Sequence, residues 1–131
     1  MTFLCDTNII SELSRPQPNV GVMLWADTQA EITISVVTLE EITFGLVAKP
    51  NARIERWFEQ FLEYFCDVMP ITPEIGRKAG ELRGRLRLQG KQRTQSDILI
   101  AAIAQVHNLI LVTRNLKDFE GCGIALLNPF T

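Results

Sequence analysis

Asp6, Asp97, Asn115, Asp118 and one of the neighbours Glu40 and Glu41 are oxygen-donor side chains set beside short apolar runs. Carboxylates gathered at one place repel each other, at a cost that falls when a cation neutralises them. Hard oxygen donors without imidazole or thiolate suit Mg²⁺, with Mn²⁺ as a substitute. The rest of the composition removes competing chemistries. A single histidine, His107, excludes mechanisms that need a pair of imidazoles. Cys5, Cys66 and Cys122 are odd in number, widely spaced and embedded in apolar sequence. That pattern predicts reduced core thiols rather than a disulfide framework or a zinc centre.

The elements that must position these groups alternate along the chain. Thr2 to Cys5 reads as a buried strand ending at Asp6, and Thr7 to Leu13 as a short helix stopped by Arg15-Pro16-Gln17-Pro18. A helix is predicted over Val20 to Ala26, a strand over Ile32 to Val36, and a helix over Val37 to Val47 ended by Lys49-Pro50. Asn51 caps the next helix, and Cys66 to Met69 forms a strand. Thr72-Pro73 opens a helix with apolar residues at Ile75, Ala79, Leu82 and Leu86, closed by Gly90. Thr94 opens one more helix through His107, followed by strands at Leu109 to Val112 and Ile124 to Leu127. Strands alternating with helices imply an α/β fold with a parallel sheet covered on both faces. Ligands of such sheets bind beyond the carboxyl ends of the strands, where these acids lie.

Each acid also has a purely structural explanation. Asp6 is placed to cap the helix at Thr7. Thr38-Leu39-Glu40-Glu41 and Thr94-Gln95-Ser96-Asp97 both match the capping box. Asp118 fits an exposed turn. It is their joint placement at one sheet rim that points to a site. Helical geometry alone does not choose between Glu40 and Glu41, about 100° apart.

With 131 residues, 47% hydrophobic and 21% charged, the chain is expected to form a single domain, residues 1–131, with no need of staples. The longest apolar run, Ile98 to Ala104, is far shorter than the roughly 20 residues needed to span a bilayer. The first residues carry neither a basic leader nor a long apolar stretch, so no membrane partner and a cytoplasmic location are expected. Net charge is −2 but unevenly spread. Arg77, Lys78, Arg83, Arg85, Arg87, Lys91 and Arg93 face one acid, Glu81, across that stretch, leaving six basic against fourteen acidic residues elsewhere. Such a stretch draws a polyanion, or is simply a solvated helix face.

Four segments in order resemble the PIN-domain ribonucleases and, within them, the VapC/FitB toxins of bacterial toxin–antitoxin pairs. Leu4-Cys5-Asp6-Thr7-Asn8 is similar to the opening L-x-D-T-N, and Ser35 to Gly45 to S-x-x-T-x-x-E-[IL]-x-x-G, which selects Glu41. Asp97-Ile98-Leu99-Ile100-Ala101-Ala102 resembles D-x-x-I-A-A, and Val112 to Phe119 resembles V-T-R-[ND]-x-x-D-F, with Asn128-Pro129-Phe130 like the usual ending.

The resemblance implies a PIN-like α/β/α sandwich with Asp6, Glu41 and Asp97 as the acidic core of a metal site. Many relatives carry Asp where this chain has Asn115. The fourth contribution is then a neutral Asn115 oxygen, or Asp118 directly or through water, with Asn8 and Thr113 in support. It further implies an endoribonuclease that cleaves structured RNA, forms a homodimer, and is inhibited by a cognate antitoxin through which it meets DNA. Water attacking phosphorus beside a divalent ion leaves a 5′-phosphate and a 3′-hydroxyl with no side-chain nucleophile. Candidate RNA contacts are Arg83, Arg85, Arg87, Lys91, Arg93 and Arg114. Two other readings compete. A phosphatase or phospho-receiver is disfavoured because Asp6-Thr7-Asn8 lacks the second acid of D-x-D and no lysine follows the late strand as a receiver requires. A non-catalytic PIN-like binding module is disfavoured by the three retained acids.

Between Asn51 and Cys66, residues Ile54, Trp57, Phe58, Phe61, Leu62, Tyr64 and Phe65 fall on one helix side. The stripe covers roughly 160°, wider than the ~100° a surface helix needs. Trp57 and Tyr64 sit at its margin and are the expected antitoxin or dimer contacts, with Phe58, Phe61 and Phe65 nearer its centre.

Overall fold

The computed structural model describes residues 2–131, along which strands and helices alternate. They are β1 (Phe3–Cys5), α1 (Thr7–Leu13), α2 (Val20–Asp27), β2 (Ile32–Ser35), α3 (Val36–Ala48), α4 (Ala52–Tyr64), β3 (Cys66–Met69), α5 (Pro73–Leu88), α6 (Gln95–Val106), β4 (Ile110–Val112) and β5 (Leu126–Leu127), with a 3-10 turn at Leu116–Phe119. The strands form one sheet in the order β3-β2-β1-β4-β5, and each neighbouring pair is parallel. Central Cys5 lies opposite Ile34 on one side and Val112 on the other. From β1 the chain moves outward to β2 and β3, then crosses back to β4, so the order reverses beside β1, where open sheets form their crevice.

Alternation along the strands divides the interior in two. Leu4 and Leu111 point into a core built with α5 and α6 from Ile75, Leu82, Leu86, Ile100 and Ile103. Their neighbours Cys5 and Val112 point the other way, into a core shared with Ile9, Ile10, Val22, Phe58 and Phe61 of α1, α2 and α4. Both faces are covered, which is why β1 and β4 at the centre read as unbroken apolar runs. The three cysteines are free thiols, Cys5 and Cys122 buried and Cys66 half-buried; burial pushes the Cys5 and Cys66 thiols well above the ordinary range. No helix among the described residues is long and apolar enough to cross a membrane.

Local chemistry explains most element ends. Asn51 accepts from Ile54 N at 3.0 Å, and Thr72 accepts from Ile75 N at 3.2 Å with Pro73 in the first turn. Gly90 closes the region after α5 at φ +76°, a left-handed conformation that glycine adopts without a Cβ clash. Three expectations are corrected. The cap of α3 is Ser35, whose Oγ accepts from Thr38 N at 3.1 Å, so the helix starts at Val36 and Thr38 is buried in its first turn. The last strand pairs only over Leu126–Leu127, since Gly121 and Gly123, both at positive φ, turn the chain just before it. Phe65 leaves the apolar stripe: α4 ends at Tyr64, and Phe65, at φ −130°, is 57% exposed.

Candidate active site

Asp6 follows the central strand and is 6% exposed. One carboxylate oxygen, Oδ1, accepts from Thr7 N at 2.8 Å, capping α1 as the local sequence requires. The other, Oδ2, accepts from Thr113 Oγ1 at 2.8 Å and Asn8 Nδ2 at 3.1 Å. Thr113, at the end of β4, is fully buried, and its hydroxyl accepts from Asn8 Nδ2 at 3.2 Å and Asn115 N at 3.0 Å. The hydroxyl proton thus points at Asp6 while its lone pairs are filled from behind. Asn8 closes the web by accepting from Arg114 N at 3.1 Å.

Glu41 sits in the second turn of α3, past the capping position, and its Oε1 accepts from Thr7 Oγ1 at 2.7 Å. Having donated there, Thr7 accepts from buried Thr38 Oγ1 at 3.0 Å. Asp97 occupies the first turn of α6, whose cap Thr94 accepts from Asp97 N at 3.2 Å. The capping explanation therefore holds for Asp6 and, by its backbone, for Asp97, but not for Glu41.

Asp6, Glu41 and Asp97 come from three distant chain segments and line one cleft of about 910 Å³. Burial raises the Asp6 carboxyl above the usual range; hydrogen bonds from Thr113, Thr7 and Asn8 pull it down, and the Glu41 charge pushes it up. Burial likewise raises Asp97, against the pull of Thr94 and with the charges of Asp6, Asp118 and Glu41 adding to the rise. Among the described residues no basic side chain forms an ion pair with any of these three carboxylates; the ion pair nearby joins Arg15 to Glu12 at 3.3 Å.

Asn8, Trp57, Arg114 and Asn115 also line the cleft. Asp118, exposed on the 3-10 turn, does not, and reaches Asp97 through its charge. Arg83, Arg85, Arg87 and Lys91 are exposed and lie outside it. Half-buried Arg93 donates to the carbonyls of Gln92 and Glu120, both at 3.1 Å, tying the α5–α6 connection to the loop after the 3-10 turn. Trp57 stacks on Phe61 with centroids 5.2 Å apart, and Tyr64 is 68% exposed at the end of α4. Sequence reasoning missed Glu12 and Phe130 as cleft-lining groups. Glu12, 8% exposed, accepts from Asn19 N at 2.8 Å, an anchor whose one sequence-level signal is an acid inside an apolar helix.

The PIN domain family model matches residues 3–121. The chain belongs to the PIN-domain family. Among relatives of this PIN domain, VapC ribonuclease Y4jK of Sinorhizobium fredii is 32% identical over 95% of each chain. The structure of VapBC2 from Rickettsia felis bound to a DNA fragment from their promoter superposes with TM-score 0.86 at 26% identity, covering 98% of both chains. A toxin–antitoxin complex from Klebsiella pneumoniae superposes with TM-score 0.76 at 25% identity, again over 98% of both.

Membership in the PIN family implies a divalent cation, and the donor set of this PIN domain fits one in chemistry. The carboxylates are hard oxygen donors, crowded enough that neighbouring charges add to the rise of Asp6 and Asp97, with no basic side chain paired to them among the described residues. The fit is one of placement rather than a ready-made cage. As the side chains stand, no three His, Cys, Asp or Glu among the described residues converge into a coordination set. Mg²⁺ suits such a site, since it keeps several waters and takes one or two carboxylates.

Proposed function

We propose that this PIN domain is an endoribonuclease, the toxin of a toxin–antitoxin pair, which hydrolyses structured RNA using Mg²⁺, or Mn²⁺ in its place. The observation that carries the reading is the convergence of Asp6, Glu41 and Asp97 on one cleft at the carboxyl end of the sheet without a basic partner. The names of the relatives, a VapC ribonuclease and a toxin–antitoxin complex, agree with it. Asp6 and Asp97 would hold the ion, with Glu41 as a further oxygen donor and the fourth contribution coming from Asn115 in the cleft or from Asp118 outside it through a water. A divalent ion held there would supply a water of lowered pKa and positive charge to offset the negative charge growing on the phosphate.

The chain's own residues supply the rest. Thr113 and Asn8 orient the Asp6 carboxylate, and Thr7 holds Glu41 toward the cleft. The basic surface of α5, with Lys91 beyond it, attracts the RNA backbone without reading bases. An antitoxin segment would lie on the cleft's apolar wall, formed by Ile42, Leu46, Ile54, Trp57 and Phe58. DNA is met through that antitoxin, and the toxin self-associates as a homodimer.

The test is a titration of Mg²⁺ and Mn²⁺ against a mixed RNA substrate and a phosphate monoester. RNA cleavage that rises with metal and stops with EDTA is the expected result. Turnover of the monoester alone would favour a phosphatase, and binding without turnover a non-catalytic module.

A further inference from the structure

Phe130 brings an aromatic ring to the cleft from the segment after β5, whereas the rings of Trp57 and Phe58 reach it from α4. The guanidinium of Arg114 lies over the Phe130 ring, 4.8 Å from its centroid. Both residues line the cleft with Asp6 and Asp97. The backbone of Arg114 is already fixed there by its N–H bond to Asn8, whose amide also donates to Asp6. The Arg114 side chain packs across the ring.

The ring is itself held in place. Thr131 N donates to Asn19 Oδ1 and Asn19 Nδ2 donates to Thr131 O, both at 3.1 Å. Asn19 is the cap of α2, accepting from Val22 N at 3.3 Å, and its own N–H is anchored by buried Glu12 of α1. Between these contacts the chain presses on Gly21, where a Cβ would lie 2.2 Å from Pro129 O and 2.6 Å from Thr131 Cγ2. Phe130 N also donates to Asn128 Oδ1 at 3.0 Å, bending the segment back on itself. From α1 through Asn19 and Thr131 to Phe130, the links form one continuous brace behind Arg114.

Stacking engages the face of a guanidinium and leaves its edge free, so the five N–H donors stay available to an anion. No carboxylate pairs with Arg114 among the described residues. The anion present when RNA is being cut beside Asp6 and Asp97 is a phosphate of the RNA chain. Building on the ribonuclease reading, we propose that residues 128–131 are a brace with Phe130 as a positioning residue, holding the Arg114 guanidinium at the cleft mouth to grip a substrate phosphate.

The test compares KM and kcat for Mg²⁺-dependent cleavage of a labelled mixed-sequence RNA, with the dissociation constant of the same RNA measured in EDTA. Arg114→Ala should raise KM and the dissociation constant about tenfold, as loss of a charge-assisted phosphate contact predicts. Phe130→Leu should raise both about two- to fivefold with little change in kcat, and Phe130→Trp should restore them. In the Arg114→Ala background, Phe130→Leu should have no further effect. Should Phe130→Leu fold poorly by its unfolding midpoint, Asn19→Ser keeps a capping oxygen for α2 while removing the amide pairing with Thr131, and should shift KM in the same direction. Equal effects of Phe130→Leu with and without Arg114, or a change confined to kcat, would overturn the brace. If the unmodified protein binds RNA but does not cleave it, the ribonuclease reading fails while the dissociation constants still decide the brace. A parent protein that binds no RNA overturns both.

Discussion

The two faces of the sheet are built from different materials. On the α5–α6 side the core is aliphatic, with Ile100, Ala101, Ala102 and Ile103 fully buried, and its one buried aromatic is Phe119. On the α1–α2–α4 side Phe58 and Phe61 are core residues, and Phe3, Trp25, Trp57 and Phe130 pack around them half-buried. Aliphatic and alanine side chains of α6 fill the α5–α6 side, and the outer face of α5 carries exposed arginines. The rings on the α1–α2–α4 side are covered only in part, and that side opens into cavities lined by Trp57. One face is thus suited to a polyanion and the other to an apolar polypeptide, with the carboxylates at the rim between them.

The rim should give the largest effects. Asp6→Asn and Asp97→Asn are each expected to lower metal-dependent RNA cleavage about a hundredfold or more, measured as initial rates at saturating Mg²⁺. Parental activity in a folded Asp97→Asn protein would remove the rim from the comparison. On the basic face, replacing Arg85 and Arg87 together by Glu should weaken RNA binding for every sequence tried and reduce the salt slope by about two. An unchanged slope would make α5 an ordinary solvated face. On the aromatic face, Trp57→Ala should cost more than about 1 kcal/mol of antitoxin affinity while moving the unfolding midpoint less than truncation of Phe58 does. Unchanged affinity with a large loss of stability would return Trp57 to the core.

A further contrast lies within the rim itself, in stability rather than activity. Asp6 is buried and accepts three hydrogen bonds, whereas Asp97 is half-buried and crowded by other carboxylates. Without metal, Asp6→Asn should therefore destabilise by roughly 1–3 kcal/mol, because the new amide meets donors it cannot accept from. Asp97→Asn should stay within about 0.5 kcal/mol, since relief of repulsion offsets what is lost. Chemical unfolding of both variants in EDTA checks the contrast; equal losses would erase it.

Much of this arrangement was legible in the sequence where local chemistry decides. Thr72-Pro73 and Asn51 announce α5 and α4, and Asp6-Thr7 marks the turn from β1 into α1. The meeting of Asp6 and Asp97 was legible too, because strand ends in a parallel sheet share a rim; Glu41 was separated from Glu40 only by the family resemblance, and Asp118, expected at the same rim, lies outside the cleft. What stayed hidden depends on contacts between distant segments. Ser35-x-x-Thr38 and Thr38-x-x-Glu41 both look like helix starts, and the choice falls to Thr7, 31 residues from Thr38, which draws the Thr38 hydroxyl inward. Helical periodicity carried past Tyr64 misplaced Phe65, because a wheel has no knowledge of where a helix stops. Asn19 reads as a polar loop residue until Thr131, 112 positions later, pairs with its amide.

The hydrogen bond between Thr113 and Asp6 spans 107 residues, and β1 finds β4 as a neighbour only across a similar separation. Contacts so remote along the chain are closed late, since the entropy of a long loop must be lost before they form. A nascent chain emerging at about 5–20 residues per second can pair β1, β2 and β3 well before residue 113 has been translated. Until then Asp6 lacks the hydroxyl that aims it, and Asp97 lacks the strand that seats the helix carrying it. The cleft is consequently assembled only once residue 113 has joined the sheet, and no shorter stretch of the chain holds Asp6 in its aimed position.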